Sequence, residues 1–260
     1  MDSAVQSWRG ALADFTALAA SLADEDWRRE SRCPGWSVAD VVAHVIDLEG
    51  HFLGDPRASG QPAWEALPHV TTEMQRFIEV GVDARRGQPP TELLRELREV
   101  SDRREAQLQR ADLTESVPWF VGEIPLAQLL WLRTFDIWTH EQDIRTAADR
   151  PGGLDSPAAA VVCERIRERL PAIWGKKVGA AATLQLVIAP PGPTGNWLLT
   201  VREGRAVYVD VAEPEVRIDI GWADLAARGA GRIPAAEVPV TIAGDVSLGR
   251  RLLAELPFTP

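Results

Sequence analysis

Residues 126–148, LAQLLWLRTFDIWTHEQDIRTAA, decide the fold. The stretch holds no proline or glycine, and Leu129, Leu132, Asp136, His140, Ile144 and Ala147 recur every three or four residues. That is the period of one helical face, which predicts a long helix with this line turned towards a core. Two of the six side chains are polar. Asp136 and His140 stand at i and i+4, so both leave the same face one turn apart. A carboxylate on a core-facing line is costly unless it is paired or holds a cation, so a partner is required. His44, inside the apolar run 38–46 (VADVVAHVI), is a suitable one. Two imidazoles and a carboxylate from facing helices make a three-ligand set for a divalent metal, with the fourth position open as in catalytic sites. The competing reading is a solvated Asp–His pair and a packed histidine.

The surrounding residues offer weaker candidates. Asp143, three residues beyond His140, is placed to accept an imidazole N–H. His51 lies seven residues after His44 on nearly the same face and is a replacement ligand, although Phe52 and Gly54 beside it mark a helix end. His69 follows Pro68 and reads as a solvated loop residue. Cys33 precedes the N-terminus of the His44 helix, where a thiolate is favoured. With no base visible nearby, it reads as structural. Most of the ten tryptophans fall at amphipathic positions and read as core.

A content of 45% hydrophobic and 25% charged residues is that of a soluble globular protein. The net charge of −10 excludes a nucleic-acid partner, because no basic stripe is available to neutralise phosphates. No apolar run approaches the roughly 18 residues of a membrane span, so no membrane partner is expected. Cys33 and Cys163 form neither a CxxC nor a disulfide scaffold. The start, residues 1–6, has no basic and apolar leader pattern. A cytoplasmic location is the expectation. No phosphate-binding glycine loop or GxSxG elbow occurs.

The periodicity predicts helices over about 8–22, 37–53, 70–84, 91–110 and 126–148, with Ser37 as N-cap and Asp40 as its capping-box partner. Residues 118–120 read as loop. The breaker-rich segment 149–157, DRPGGLDSP, is the best boundary. Two domains are expected, 1–150 and 156–260. The second contains a helix over 158–174, strands over 183–189, 196–202, 206–211 and 216–220, and short helices near 222–228 and 246–256.

Three motifs carry a resemblance. Residues 33–44, CPGWSVADVVAH, resemble the first motif of the mycothiol-dependent maleylpyruvate isomerase-like family, a branch of the DinB superfamily. Residues 136–145, DIWTHEQDIR, resemble its second motif, and 244–253, GDVSLGRRLL, are similar to its closing helix. The resemblance implies an α+β protein: a DinB-like antiparallel four-helix bundle followed by a smaller α/β domain of sterol-carrier type. It implies a divalent metal, zinc favoured, on His44, Asp136 and His140. The family pattern has Glu where this chain has Asp136, one methylene shorter. The implied activity is an enzyme, an isomerase or S-transferase, with mycothiol as cosubstrate and an electrophilic small molecule as second substrate. The cosubstrate would bring the nucleophilic sulfur, so no catalytic Cys or Ser of the protein is needed. The alternatives are a non-catalytic metal- or ligand-binding DinB-like protein and a carrier of apolar ligands.

Overall fold

The structure is a computed structural model and describes residues 3–120 and 122–258. Met1 and Asp2, read above as part of a start without a leader, and Thr259 and Pro260, read as the end of the second domain, lie outside them. The architecture is α+β, and the chain divides into two compact units between Gly152 and Gly153. The boundary falls inside the breaker-rich 149–157 segment.

The first unit is built from α1 (Ser3–Ala20), α2 (Val38–Leu53), α3 (Glu73–Asp83), α4 (Pro90–Leu108) and α5 (Leu126–Ala147). Local chemistry sets their ends. Ser37 accepts from the Asp40 N–H while Asp40 accepts from the Ser37 N–H, closing the expected capping box. Gly54, at φ 84°, takes the left-handed turn that stops α2. A second box, Thr72 with Gln75, starts α3 three residues later than the periodicity predicts. Pro90 opens α4, where its missing N–H costs nothing. Helix α1 lies along α5, and α2 packs on α3, α4 and α5. Trp8, Phe15, Val41, Val45, Leu97, Leu130 and Ile137 are the centre of this core.

Helix α5 departs from the single apolar stripe. It is buried around most of its circumference, charged residues Arg133, Glu141 and Asp143 included. Leu132, Asp136 and Ala147, expected to face the core, are half-buried and border it. The interior charges are paired. Glu49 of α2, with no exposed surface, accepts from the Trp8 indole at 3.2 Å and from Arg133 Nε at 2.9 Å. Arg104 of α4 adds an ion pair at 3.6 Å. This network ties four helices together through one carboxylate.

Of residues 118–120, expected as loop, Pro118 and Trp119 belong to a strand and Phe120 to the turn after it. Strands β1 (Ser116–Trp119) and β2 (Gly122–Pro125) pair antiparallel as a hairpin leading into α5. In the second unit, α6 (Pro157–Ala172) continues into a π-helical turn, Ile173–Val178. The sheet comprises β3 (Leu184–Ala189), β4 (Gly195–Arg202), β5 (Arg205–Tyr208), β6 (Val216–Gly221) and β7 (Val240–Gly244) in the order β5-β4-β3-β6-β7. Only the β3–β6 pair is parallel among them. Leu184, Leu186 and Ile188 alternate inward beside Val216, Ile218 and Ile220, against α7 (Trp222–Gly229) and α8 (Val246–Glu255). Strand β7 carries no alternation that sequence reasoning marked.

Candidate metal centre

Helices α2 and α5 bring His44, Asp136 and His140 together, although His44 lies 92 residues before Asp136. His44 Nε2 is 3.3 Å from Asp136 Oδ2, and His140 Nε2 is 3.6 Å from Asp136 Oδ1. One donor atom of each residue lies within 4.8 Å of the others. Tetrahedral ligands about 2.1 Å from a zinc ion stand roughly 3.4 Å from one another. The donor chemistry suits a divalent cation, and the two histidine–carboxylate distances are close to that spacing. Both imidazoles are buried, whereas the Asp136 side chain keeps 34% of its surface exposed, leaving the cluster open on one side.

Two of the three are held from behind. Asp143 Oδ2 lies 3.0 Å from His140 Nδ1, which directs Nε2 towards Asp136. Arg133 Nη1 donates to Asp136 Oδ2 at 2.6 Å, and Glu49 holds Arg133 in turn. Trp36 covers the imidazoles, its ring centre 5.2 Å from that of His44 and 6.2 Å from that of His140. The Trp36 indole donates to the buried Glu79 at 2.9 Å. His69 Nε2 lies 3.3 Å from the same carboxylate, so it is not the solvated loop residue expected. Its ring sits where a Cβ on Gly35 would be, and Gly35 has φ 77°. The CPGW turn thus needs glycine to pass under His69 and present Trp36.

Environment sets the protonation of the trio apart. Burial pulls His44 below the usual imidazole range, only partly opposed by Asp136. Burial also works against the His140 cation, but the Asp136 charge and the contacts with Asp143 and Cys33 more than reverse it, to about 10. Burial would raise Asp136, yet Arg133 and the two histidines hold it well below the usual carboxylate range. A cation entering this site would meet an ionised carboxylate and a neutral His44, and would displace a proton from His140.

Cys33 does have polar neighbours: its thiol donates to Asp143 Oδ2 at 3.1 Å, and Sγ is 3.8 Å from His140 Nδ1. Those partners are more than a hundred residues away in the chain and leave no local signal. His51 is in the last turn of α2 against Phe52 and Phe77, and is not among the residues gathered at the trio. The tryptophans divide evenly. Trp8, Trp27, Trp138, Trp174 and Trp222 are core, while Trp36, Trp64, Trp119, Trp131 and Trp197 are half-buried.

A solved structure described as mycothiol-dependent maleylpyruvate isomerase aligns over 94% of this chain and 93% of its own, at 17% identity and a TM-score of 0.56. A histidine-to-alanine mutant of that isomerase aligns over the same shares at 16% identity and TM-score 0.56. At such identity the likeness shows a shared fold. A sterol carrier protein 2 like 2 from Aedes aegypti covers 36% of this chain and 96% of its own at 19% identity, with a TM-score of 0.30 that is too low to assign its fold. No curated protein sequence matches. The profile described as the mycothiol maleylpyruvate isomerase N-terminal domain matches residues 8–145, which contain all three residues of the trio. Spanning more than half of the chain, that match shows that the protein belongs to the mycothiol maleylpyruvate isomerase N-terminal domain family.

Proposed function

We propose that this protein is a divalent-metal enzyme, with zinc the favoured ion, that uses a low-molecular-weight thiol of the mycothiol type against an electrophilic small molecule. The first unit serves as a DinB-like four-helix bundle, and His44, Asp136 and His140 hold the ion. The observation that carries the reading is the convergence of two imidazoles and a carboxylate within 4.8 Å, on residues inside the matched family profile. A bound divalent cation supplies positive charge that favours the thiolate form of a coordinating thiol.

The chain's own residues prepare that chemistry. Asp143 fixes the orientation of His140 by holding Nδ1, and Arg133 fixes the Asp136 carboxylate. Trp36, anchored by Glu79, walls off one side from water, while the exposed edge of Asp136 leaves the other open to reactants. The nucleophilic sulfur comes from the cosubstrate, because Cys33 is turned into its hydrogen bond with Asp143. The new C–S bond forms as the thiol proton passes to solvent and the displaced π pair moves onto the electrophile's conjugated oxygens, from which it returns when the leaving group or the sulfur departs. In transfer, a leaving group departs with its bonding pair. In isomerisation, the same C–S bond breaks after rotation about the carbon–carbon bond. Two free cysteines suit a reducing cytoplasm.

Turnover tests the proposal. Metal-loaded protein with mycothiol and either maleylpyruvate or 1-chloro-2,4-dinitrobenzene should exceed the uncatalysed rate, and His140→Ala, which removes a ligand itself, should lower that excess by more than the roughly 10–100-fold that losing an outer partner of a ligand costs. Rates equal to the protein-free control with both electrophiles contradict it.

A further inference from the structure

His140 has two ring nitrogens, and the trio engages one of them. Nε2 faces Asp136. Nδ1, on the other side of the ring, faces a second group of metal-ligating side chains, Cys33 and Asp143. Asp143 Oδ2 stands 3.0 Å from Nδ1, while Cys33 Sγ stands 3.8 Å from Nδ1 and 3.1 Å from Asp143 Oδ2. Cys33 comes from the turn before α2, and the other two from α5. All three side chains are buried. Arg32, Pro34 and Gly35 beside Cys33 are exposed, so only a short surface turn separates the group from solvent.

The donors differ in kind from those of the trio. Imidazole and carboxylate suit borderline ions such as zinc, whereas a thiolate favours soft, thiophilic ions such as Cu(I) or Cd(II). Around a tetrahedral ion, a sulfur ligand at about 2.3 Å and nitrogen or oxygen ligands at about 2.1 Å stand roughly 3.4–3.6 Å apart. The edge from Sγ to Nδ1 has nearly that length already. The two shorter edges meet at Asp143 Oδ2, which draws back by roughly 0.5 Å as the ion replaces its hydrogen bonds.

We propose that Cys33, His140 Nδ1 and Asp143 form a second metal site, selective for a thiophilic cation, that competes with the trio for His140. On binding, the thiol proton passes to water and the sulfur takes the ion. A neutral imidazole has one bare nitrogen and one N–H, so His140 ligates on one side at a time. With the inner ion bound, Nε2 carries the proton towards Asp136, and the outer position keeps only His44 and the carboxylate. A soft ion thereby disables the outer centre without entering its open side. That consequence rests on the function proposed above; the inner site stands without it.

Cadmium chloride titrated into metal-stripped full-length protein tests the site, read by the ultraviolet thiolate-to-cadmium charge-transfer absorption. The native chain should develop this band and Cys33→Ser should lose it, while Cys163→Ser and His44→Ala should keep it. No band in the native chain, a band kept in folded Cys33→Ser, or a band lost in Cys163→Ser overturns the site. Cadmium-loaded protein should also bind zinc at least about tenfold more weakly than stripped protein. Zinc affinity unchanged by cadmium overturns the competition. A thiolate band in a chain that binds no zinc supports the inner site and removes the outer one. Zinc held through the trio with no band does the reverse.

Discussion

Asp136 is the residue on which most of the site's physics converges. Its carboxylate faces His44, His140 and Arg133 at once, and its short arm reaches both imidazoles. The Arg133 contact stabilises the ionised form and fixes the orientation of the carboxylate, and Glu49 behind Arg133 relieves the cost of burying that guanidinium. A contrasting residue is Cys163, whose thiol burial pushes up to about 11 from an ordinary 9.0. Only the thiolate reacts with alkylating agents. The rate of Cys163 modification by iodoacetamide should therefore climb about tenfold per pH unit from pH 7 to 10 without levelling off. A plateau near pH 9 contradicts this. At this scale the trio was legible because the spacing of Asp136 and His140 and the apolar context of His44 are local signals. The hydrogen bond of Cys33 to Asp143 and the seat of His69 against Glu79 were not. Both depend on residues that only the folded chain makes neighbours.

At the scale of elements, α2 and α5 carry the site, and their opposed faces are locked by an interior charge network. Glu49 holds Arg133 from α5 and Arg104 from α4, with Trp8 of α1 donating to the same carboxylate. Neutralising the one anion takes the ion-pair partner from buried Arg104 and leaves buried Arg133 paired with Asp136 alone. Glu49→Gln should cost about 3–5 kcal/mol of stability, read from denaturant unfolding. A loss under about 1 kcal/mol would mean that the arginines find other partners. The boundaries of α2 were legible because capping chemistry is written locally, in Ser37, Asp40 and Gly54. The all-round burial of α5 was not legible, since Arg133, Glu141 and Asp143 look solvated until their partners are in place. Likewise the hairpin 116–125 hides behind Pro118 and Pro125, and its role emerges only when Trp119 meets Phe52.

For the whole molecule, the chain divides into two compact units between Gly152 and Gly153. The alternation in β3 and β6 revealed a sheet in the second unit, while its strand order, with one parallel pair inside an otherwise antiparallel set, depends on crossovers that local pattern does not encode. The catalytic account asks one thing of the intact chain above all: that it hold a divalent cation through His44, Asp136 and His140. Elemental analysis of full-length protein purified without chelator measures this directly, on the native chain and on His140→Ala verified as folded by its thermal transition. The account predicts about one divalent ion, chiefly zinc, per native chain and almost none in the variant. A folded His140→Ala protein that keeps the full metal content would contradict it.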